Sequence, residues 1–447
     1  MYNLRLKDIQ IDDSTATEIN EKYYKENVGL PFQTEAMGNK YPEAFAYFLS
    51  FLYNTLLDNA NNGRDRTIKV VELGARGIYF AEKVYFYIKY IDKRNNTNIA
   101  ENVEYKIVDI SPVAIKAASE EYKNKSSNLF TTEFHVADVL NKEELSSVGG
   151  NNFMAILNEL IDDLPQMVVT RIGDTYYEVL YKIIFDPDYG QIRLARNGFR
   201  KLSDEEAKMF VDYESMLKSG KLEEGYAVTF SPVLDKLVEN ISMLLSYEGN
   251  IFIHDYFYFN DYFYFIKKRV PLKLAHRLRR IYGYDLMPSA LYCSVEDSKV
   301  QITTDVNLQQ LIFALEQKGF DAQAIPHRFF VNEYTGVKEI SLLEIAASLN
   351  ATPKEEKRLL LEKISKHMPG VNINTHNINK ELLSLLKNVF RSFDLDSHSR
   401  FTAPDIEYRI DMMQDEAKRN VAEELYDLCK NYPIVNPFMD VIASRRK

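Results

Sequence analysis

The sequence predicts an α/β fold with a mostly parallel sheet and a Rossmann-like opening, on three observations. The stretch Val70-Val71-Glu72-Leu73-Gly74-Ala75-Arg76-Gly77 reads as a buried strand that ends in an acid and breaks into a glycine turn, with an amphipathic helix after it. Short apolar runs then alternate with helix-period segments over residues 67–185, the pattern of a sheet covered on both faces. Polar side chains stand where successive strands end, at Asp109, Asp138 and Asn158-Glu159, and in open α/β sheets that edge is where ligands bind.

The elements follow in order. Residues 1–66 read as a helical N-terminal segment, with a turn at Gly29-Leu30-Pro31 and a long apolar helix over Tyr41–Leu57. Asn61-Asn62-Gly63 ends that helix. The core, residues 67–345, carries strands at Ile68–Leu73, Tyr105–Ile110, Phe134–Ala137 and Phe153–Asn158, and helices at Ile78–Tyr90 and Pro112–Lys123. Residues 186–248 break the alternation and read as a helical insertion through Glu205–Ser219 and Val233–Ser246. Gly249–Tyr256 and Lys299–Thr304 read as further strands, and Leu308–Lys318 as a helix stopped by Gly319. Residues 346–447, helical and charged, read as a separate C-terminal helical domain.

Composition excludes several classes. A net charge of −10 over 447 residues argues against generic nucleic-acid binding, and 46% hydrophobic residues are ample for a core. The two cysteines, Cys293 and Cys429, suggest neither a disulfide framework nor a zinc site. No apolar run is long enough to span a bilayer, and the first residues lack the apolar core of a signal peptide. A cytoplasmic protein with no membrane partner is the expectation, and homo-oligomerisation stays open. The seven histidines show no close ligand pair, so no catalytic metal is expected. Phe393–Thr402 echoes a calcium-binding loop but has Ser399 where the turn needs glycine and Asp405 where the bidentate acid belongs, so it reads as ion-free.

The chemistry sits at the strand ends. Glu72, with Gly74 and Gly77, favours S-adenosylmethionine (SAM) over a dinucleotide: SAM is cationic at sulfur and has no pyrophosphate, so a carboxylate can replace an anion cradle. Asp109 can accept both ribose hydroxyls, or simply favour the dipole of the helix behind it. Asp138 can take the adenine amino group, or be a solvated loop acid. The strongest signal is Ala155-Ile156-Leu157-Asn158-Glu159-Leu160-Ile161-Asp162-Asp163-Leu164-Pro165, where a buried strand opens directly into an amide and acids. Glu159 and Asp162 are acceptor-side candidates, or caps of the next helix. The aromatic run Phe252–Phe265, followed by Lys267-Lys268-Arg269, reads as a core strand and a solvated helix, with a substrate-gripping insertion as the alternative.

These segments, in this order, resemble the MidA-like (NDUFAF-type) class I SAM-dependent methyltransferases. The family pattern pairs an E-L-G-P-G-x-G loop, a V-E-x-S-P strand end and an N-E-x-x-D-A-L-P segment, similar to Glu72–Gly77, Val108–Pro112 and Asn158–Pro165. Phe32-Gln33-Thr34-Glu35 resembles the stretch before the loop, Asp255-Tyr256 part of a D-Y-G strand end, and Gln301–Val306 a later D-I-T-x-x-V segment. The likeness spans roughly residues 25–340. It implies a class I core, SAM as cofactor held by Thr34, Glu72, Gly74, Gly77, Asp109 and Asp138, and methyl transfer to a protein or peptide side chain. Arginine is the acceptor known for the mitochondrial branch, which puts Glu159 and Asp162 beside the guanidinium, with Asn158 on the same side fixing the loop or touching SAM. Ala75-Arg76 departs from the family's loop, and Asp-Tyr-Phe replaces Asp-Tyr-Gly. An O- or N-methyltransferase of a peptide or small molecule, and a catalytically degenerate scaffold on the same fold, are the alternatives.

Overall fold

A computed structural model describes residues 40–59, 67–125, 129–186, 191–215, 227–258, 291–296, 299–304, 306–336, 339–341, 354–367, 400–402, 413–431 and 438–446, with isolated positions between them. They divide into two compact units. The first holds the described residues from 40 to 325 and from 438 onward, and the second those from 326 to 431.

The first unit opens on α1 (Lys40–Asn59), which places Tyr41, Phe45, Phe48 and Leu49 on one stripe at i, i+4, i+7 and i+8. Pro42 lies in its first turn, where a missing N–H costs nothing. Then come β1 (Ile68–Leu73), α2 (Tyr79–Asn95), β2 (Val103–Asp109), α3 (Pro112–Lys125), β3 (Thr131–Val136), α4 (Lys142–Ser146) and β4 (Asn152–Asn158). After β4 the chain makes a single 3-10 turn at Ile161–Asp163 and enters β5 (Met167–Ile172), β6 (Thr175–Asp186), β7 (Gln191–Lys201), α5 (Asp204–Ser215) and β8 (Ala227–Phe230). Next are α6 (Leu234–Leu244), β9 (Leu245–Tyr258), β10 (Leu291–Glu296), β11 (Lys299–Thr304), β12 (Val306–Asn307), α7 (Leu308–Gln317) and β13 (Phe320–Pro326). The second unit contains α8 (His327–Thr335), β14 (Glu339–Ser341), α9 (Lys354–His367), β15 (Arg400–Thr402) and α10 (Glu416–Asn431). In it α9 and α10 pack on each other, and β14 pairs antiparallel with β15. The chain then returns to the first unit as β16 (Phe438–Arg445).

The main sheet runs β13-β16-β9-β4-β1-β2-β3, with β12 added parallel to β9. From β3 to β9 every pairing is parallel, and β16 lies antiparallel to β9. This is the mostly parallel α/β sheet anticipated from the alternation. Side chains alternate between two covered faces. Val71, Leu73, Ala155, Leu157, Ile251, Ile253, Val441 and Ala443 share one core with α6 and α7. On the other face Phe252 packs against Phe45 and Phe48 of α1, and Phe80 of α2 packs against Phe45.

Two sequence expectations need correcting. The insertion at 186–248 is not simply helical: β7 and β8 lie within it and join β5 and β6 in an antiparallel sheet ordered β7-β6-β5-β8. The run Thr175–Asp186 is rich in Tyr, Val, Ile and Phe, and Gly173-Asp174 makes the turn that folds β6 back on β5. The segment Lys299–Thr304 is a strand as read, and it hairpins with β10. Within the stretch read as helical to residue 447, Phe438–Arg445 is a strand beside β9. The Phe32–Glu35 match, most of the Phe393–Thr402 loop and the basic group at 267–269 lie outside the described residues.

A chain ending at residue 437 should lose near-ultraviolet circular dichroism and expose dye-binding apolar surface, because β9 would present an unpaired edge. A native spectrum from that truncation would show β16 to be dispensable.

Candidate active site

Chain direction across the sheet reverses between β1 and β4. β2 and β3 lie to one side of β1, while β4 and β9 lie to the other. The crevice beyond the carboxyl ends of such strands is the binding place of open α/β sheets. Glu72 and Asn158 stand at those two ends.

Period-two alternation carries a polar row across five strands on the α1 face. Asn158 pairs in register with His254, and His254 with Asp440. Glu72 lies between β2 and β4 and takes Tyr105 Oη at 2.8 Å and Asn158 Nδ2 at 3.1 Å. Tyr41 of α1 closes the row from above: its hydroxyl donates to Asn158 Oδ1 at 2.5 Å, and its ring stacks on His254 at 4.4 Å. His254 Nδ1 lies 2.8 Å from Asp440 Oδ1, and both residues are fully buried. Burial pushes the Glu72 carboxyl up from 4.5 to about 7, and its bonds to Tyr105 and Asn158 pull the other way. Burial likewise raises the Tyr41 and Tyr105 hydroxyls well above the usual phenol value, so both stay protonated donors.

The glycine turn sits directly above Glu72. Gly74 has φ 72°, and its N–H donates to Val108 O at 2.8 Å. The left-handed backbone there favours glycine, and a Cβ would also press on the end of the Leu160 side chain at 2.7 Å. Gly77 has neither constraint: a Cβ would meet nothing within 4 Å. Arg76 takes the left-handed conformation at φ 47°, and its N–H donates to Asp109 Oδ2 at 3.0 Å. Asp109 Oδ1 accepts from Ser111 N–H at 2.8 Å. Burial pushes the Asp109 carboxyl up, opposed by the N–H of Ser111 and by the Arg76 cation and N–H. Arg76 thus serves the acid at the end of β2, and Asp109 ties the loop to that strand.

Beyond β4 the backbone is held by β9. Glu159 adopts φ 46°, and its N–H donates to the His254 carbonyl at 2.7 Å. Asp255 Oδ2 accepts from Ile161 N–H at 2.9 Å and Asp162 N–H at 3.3 Å. Glu159 is half-buried, whereas Asp162 and Asp255 are buried. Asp138, half-buried after β3, accepts from Leu140 N–H at 2.8 Å and so shapes its own loop. Thr34 lies outside the described residues.

The structure therefore joins Glu72 to Asn158, the Gly74 turn to Asp109, and Glu159 and Asp162 to β9. It shows Asp138 engaged locally, by Leu140 N–H, by Asn141 N–H at its carbonyl, and through its own N–H to Glu144 Oε2. Tyr41, His254, Asp255 and Asp440 belong to the same constellation. Among them the sequence pointed only to Asp255, through its partial family match. Tyr41 reads as one more apolar-helix aromatic, and Asp440 lies in a stretch read as helical.

A crevice at the strand switch, a glycine turn over a buried acid, and the Asp109 carboxylate at the end of β2 fit a nucleoside ligand bearing positive charge, which is the chemistry of SAM. A family model described as "Putative S-adenosyl-L-methionine-dependent methyltransferase" matches residues 52–326, and the chain belongs to that family. SAM is its cofactor. Two crystal structures from Burkholderia thailandensis are similar. One, titled a COG1565 superfamily member and "likely methyl transferase" bound to S-adenosyl-homocysteine, is 14% identical, with 92% of this chain and 77% of that chain covered and a TM-score of 0.43. The other, a COG1565 superfamily protein, is also 14% identical, with 96% and 86% covered and a TM-score of 0.44. No curated protein matches the sequence. Among the described residues, no helix is long and apolar enough to cross a membrane.

Gly74→Ala should cost on the order of 1–3 kcal/mol in urea denaturation, while Gly77→Ala should stay within about 0.5 kcal/mol of wild type. Equal costs would contradict the geometry of the turn. Because Glu72 holds its proton more tightly folded than unfolded, wild-type stability should fall as pH rises from 4.5 to about 7 and level off above. The loss should be on the order of 3 kcal/mol. Glu72→Gln should abolish that slope; an unchanged slope in urea midpoint against pH would assign it to another group.

Proposed function

We propose that the chain transfers a methyl group from SAM to a nitrogen of a protein or peptide side chain, with arginine the acceptor. The observation that carries this reading is Glu159, a non-glycine residue in the left-handed region at φ 46°, tied to the His254 carbonyl at the carboxyl end of β4. That conformation costs roughly 1–2 kcal/mol per residue, and such strain recurs where a side chain must be presented at a site.

When bound, SAM supplies an electrophilic methyl group on a cationic sulfur that leaves as a neutral thioether. The protein's share is placement and charge. The Glu159 carboxylate can accept two parallel N–H bonds from a guanidinium, fixing its plane and turning one nitrogen toward the methyl. As the N–C bond forms and the C–S bond breaks, that nitrogen gains positive charge, which Glu159 stabilises before taking the released proton. Asp162 holds the turn through its backbone N–H, which donates to Asp255 Oδ2. Asn158, held between Tyr41 and Glu72, keeps the strand end in register with the cofactor loop.

Glu159→Gln should keep SAM affinity within about twofold in calorimetry, yet lower methyl transfer from radiolabelled SAM to arginine-containing peptides by on the order of 10²-fold. Undiminished transfer would remove Glu159 from the acceptor side. Transfer only to small molecules would replace the side-chain acceptor.

A further inference from the structure

Two members of the buried row come from outside the residues that the family model matches. Tyr41 precedes residue 52, and Asp440 follows residue 326. Tyr41 decides which way the Asn158 amide faces. Its hydroxyl, kept protonated by burial and by the charges of Asp440, Glu72 and Glu159, is a permanent donor and so selects Oδ1. Nδ2 is then left to donate to Glu72 Oε1. Tyr41 is itself held by its stacking on His254, whose ring is oriented by Asp440.

The groups around Glu72 are Tyr105 from β2, Asn158 from β4 and Tyr41 from α1, with Glu159, His254 and Asp440 farther along the row. The two that bond its carboxylate are uncharged donors, so its charge depends on both amide protons and phenol pointing toward it. SAM and its demethylated product share adenine, ribose, ammonium and carboxylate. They differ in a methyl group and one positive charge, which sits on the sulfonium and is absent from the thioether. A carboxylate buried under the cofactor turn, in a medium of low dielectric, distinguishes the two by that charge.

We propose that Tyr41 is a positioning residue of the cofactor site: by fixing the Asn158 amide it keeps Glu72 able to ionise beneath the glycine turn, and so sets the preference for SAM over S-adenosylhomocysteine. The inference rests on the SAM site and holds whatever the acceptor is. It gives the enzyme a means of shedding product, since the attraction ends when the sulfonium becomes a thioether.

The test is calorimetric binding of SAM and of S-adenosylhomocysteine to the full chain, to Tyr41→Phe and to Glu72→Gln, from about pH 6 to about pH 8.5. In wild type the preference for SAM should rise roughly tenfold as Glu72 ionises. In Tyr41→Phe the rise should move to higher pH, because the freed amide can turn its oxygen toward the carboxylate. In Glu72→Gln the preference should be low and flat. A Tyr41→Phe curve that superimposes on wild type overturns the proposal even if its melting temperature falls, since lost packing alone would not move the midpoint. A flat wild-type curve, or one matched by Glu72→Gln, overturns it without any use of Tyr41→Phe. No acceptor enters the assay, so failure of the arginine reading leaves its outcome untouched.

Discussion

Burying the Glu72 carboxyl is the constraint from which the rest of the site follows. An acid 2% exposed in the middle of a parallel sheet is tolerable only if donors surround it. Those donors come from its neighbours on both sides: Tyr105 from β2 and Asn158 from β4. Asn158 in turn needs a donor for its oxygen, which α1 provides through Tyr41. Tyr41 needs a flat partner, which β9 provides through His254, and the imidazole needs an acceptor, which β16 provides through Asp440. One buried charge thus couples five strands and a helix, and half-satisfying such a network is worse than having none.

The same logic separates the two glycine positions of the loop. Gly74 is dictated by its left-handed backbone, with the flexible end of Leu160 resting against it. Gly77 is not, and the departure of this loop from the family pattern falls instead at Ala75-Arg76, where Arg76 carries the left-handed backbone at φ 47° without being glycine. Arg76, the loop residue most opposed to a cationic ligand, is turned to use by the Asp109 carboxylate. The unusual loop remains a closed, internally bonded turn at the mouth of the crevice.

Most of the core was legible because its signals are local. Strands β1 to β4 and helices α1, α2, α3, α6 and α7 are apolar runs with clear periods, and their ends carry the acids that mark the site edge. The β5–β8 sheet is less legible because its strands straddle the border at residue 186 and are interrupted by helix-period segments, although Tyr, Val and Ile alternate through β6. Strand β16 was missed because its partner lies far away in sequence: only pairing with β9 makes Phe438–Arg445 extended. Candidate residues divided the same way. Glu72, Asn158 and Glu159 announce themselves at strand ends, whereas Tyr41 and Asp440 gain meaning only from their neighbours in space.

The position of β16 has a consequence for how the protein comes into being. His254 and Asp440 are 186 residues apart, and everything between β9 and β16, including the whole second unit, is synthesised before they can meet. A nascent chain can pair β1 to β4 and β9 early, but its row of polar side chains stays open at β9 until the last strand arrives. Such a long closure is slow, since its entropy is lost before its contacts form. A half-made chain therefore carries a sheet whose buried polar row stays unfinished at β9 until the last strand is made.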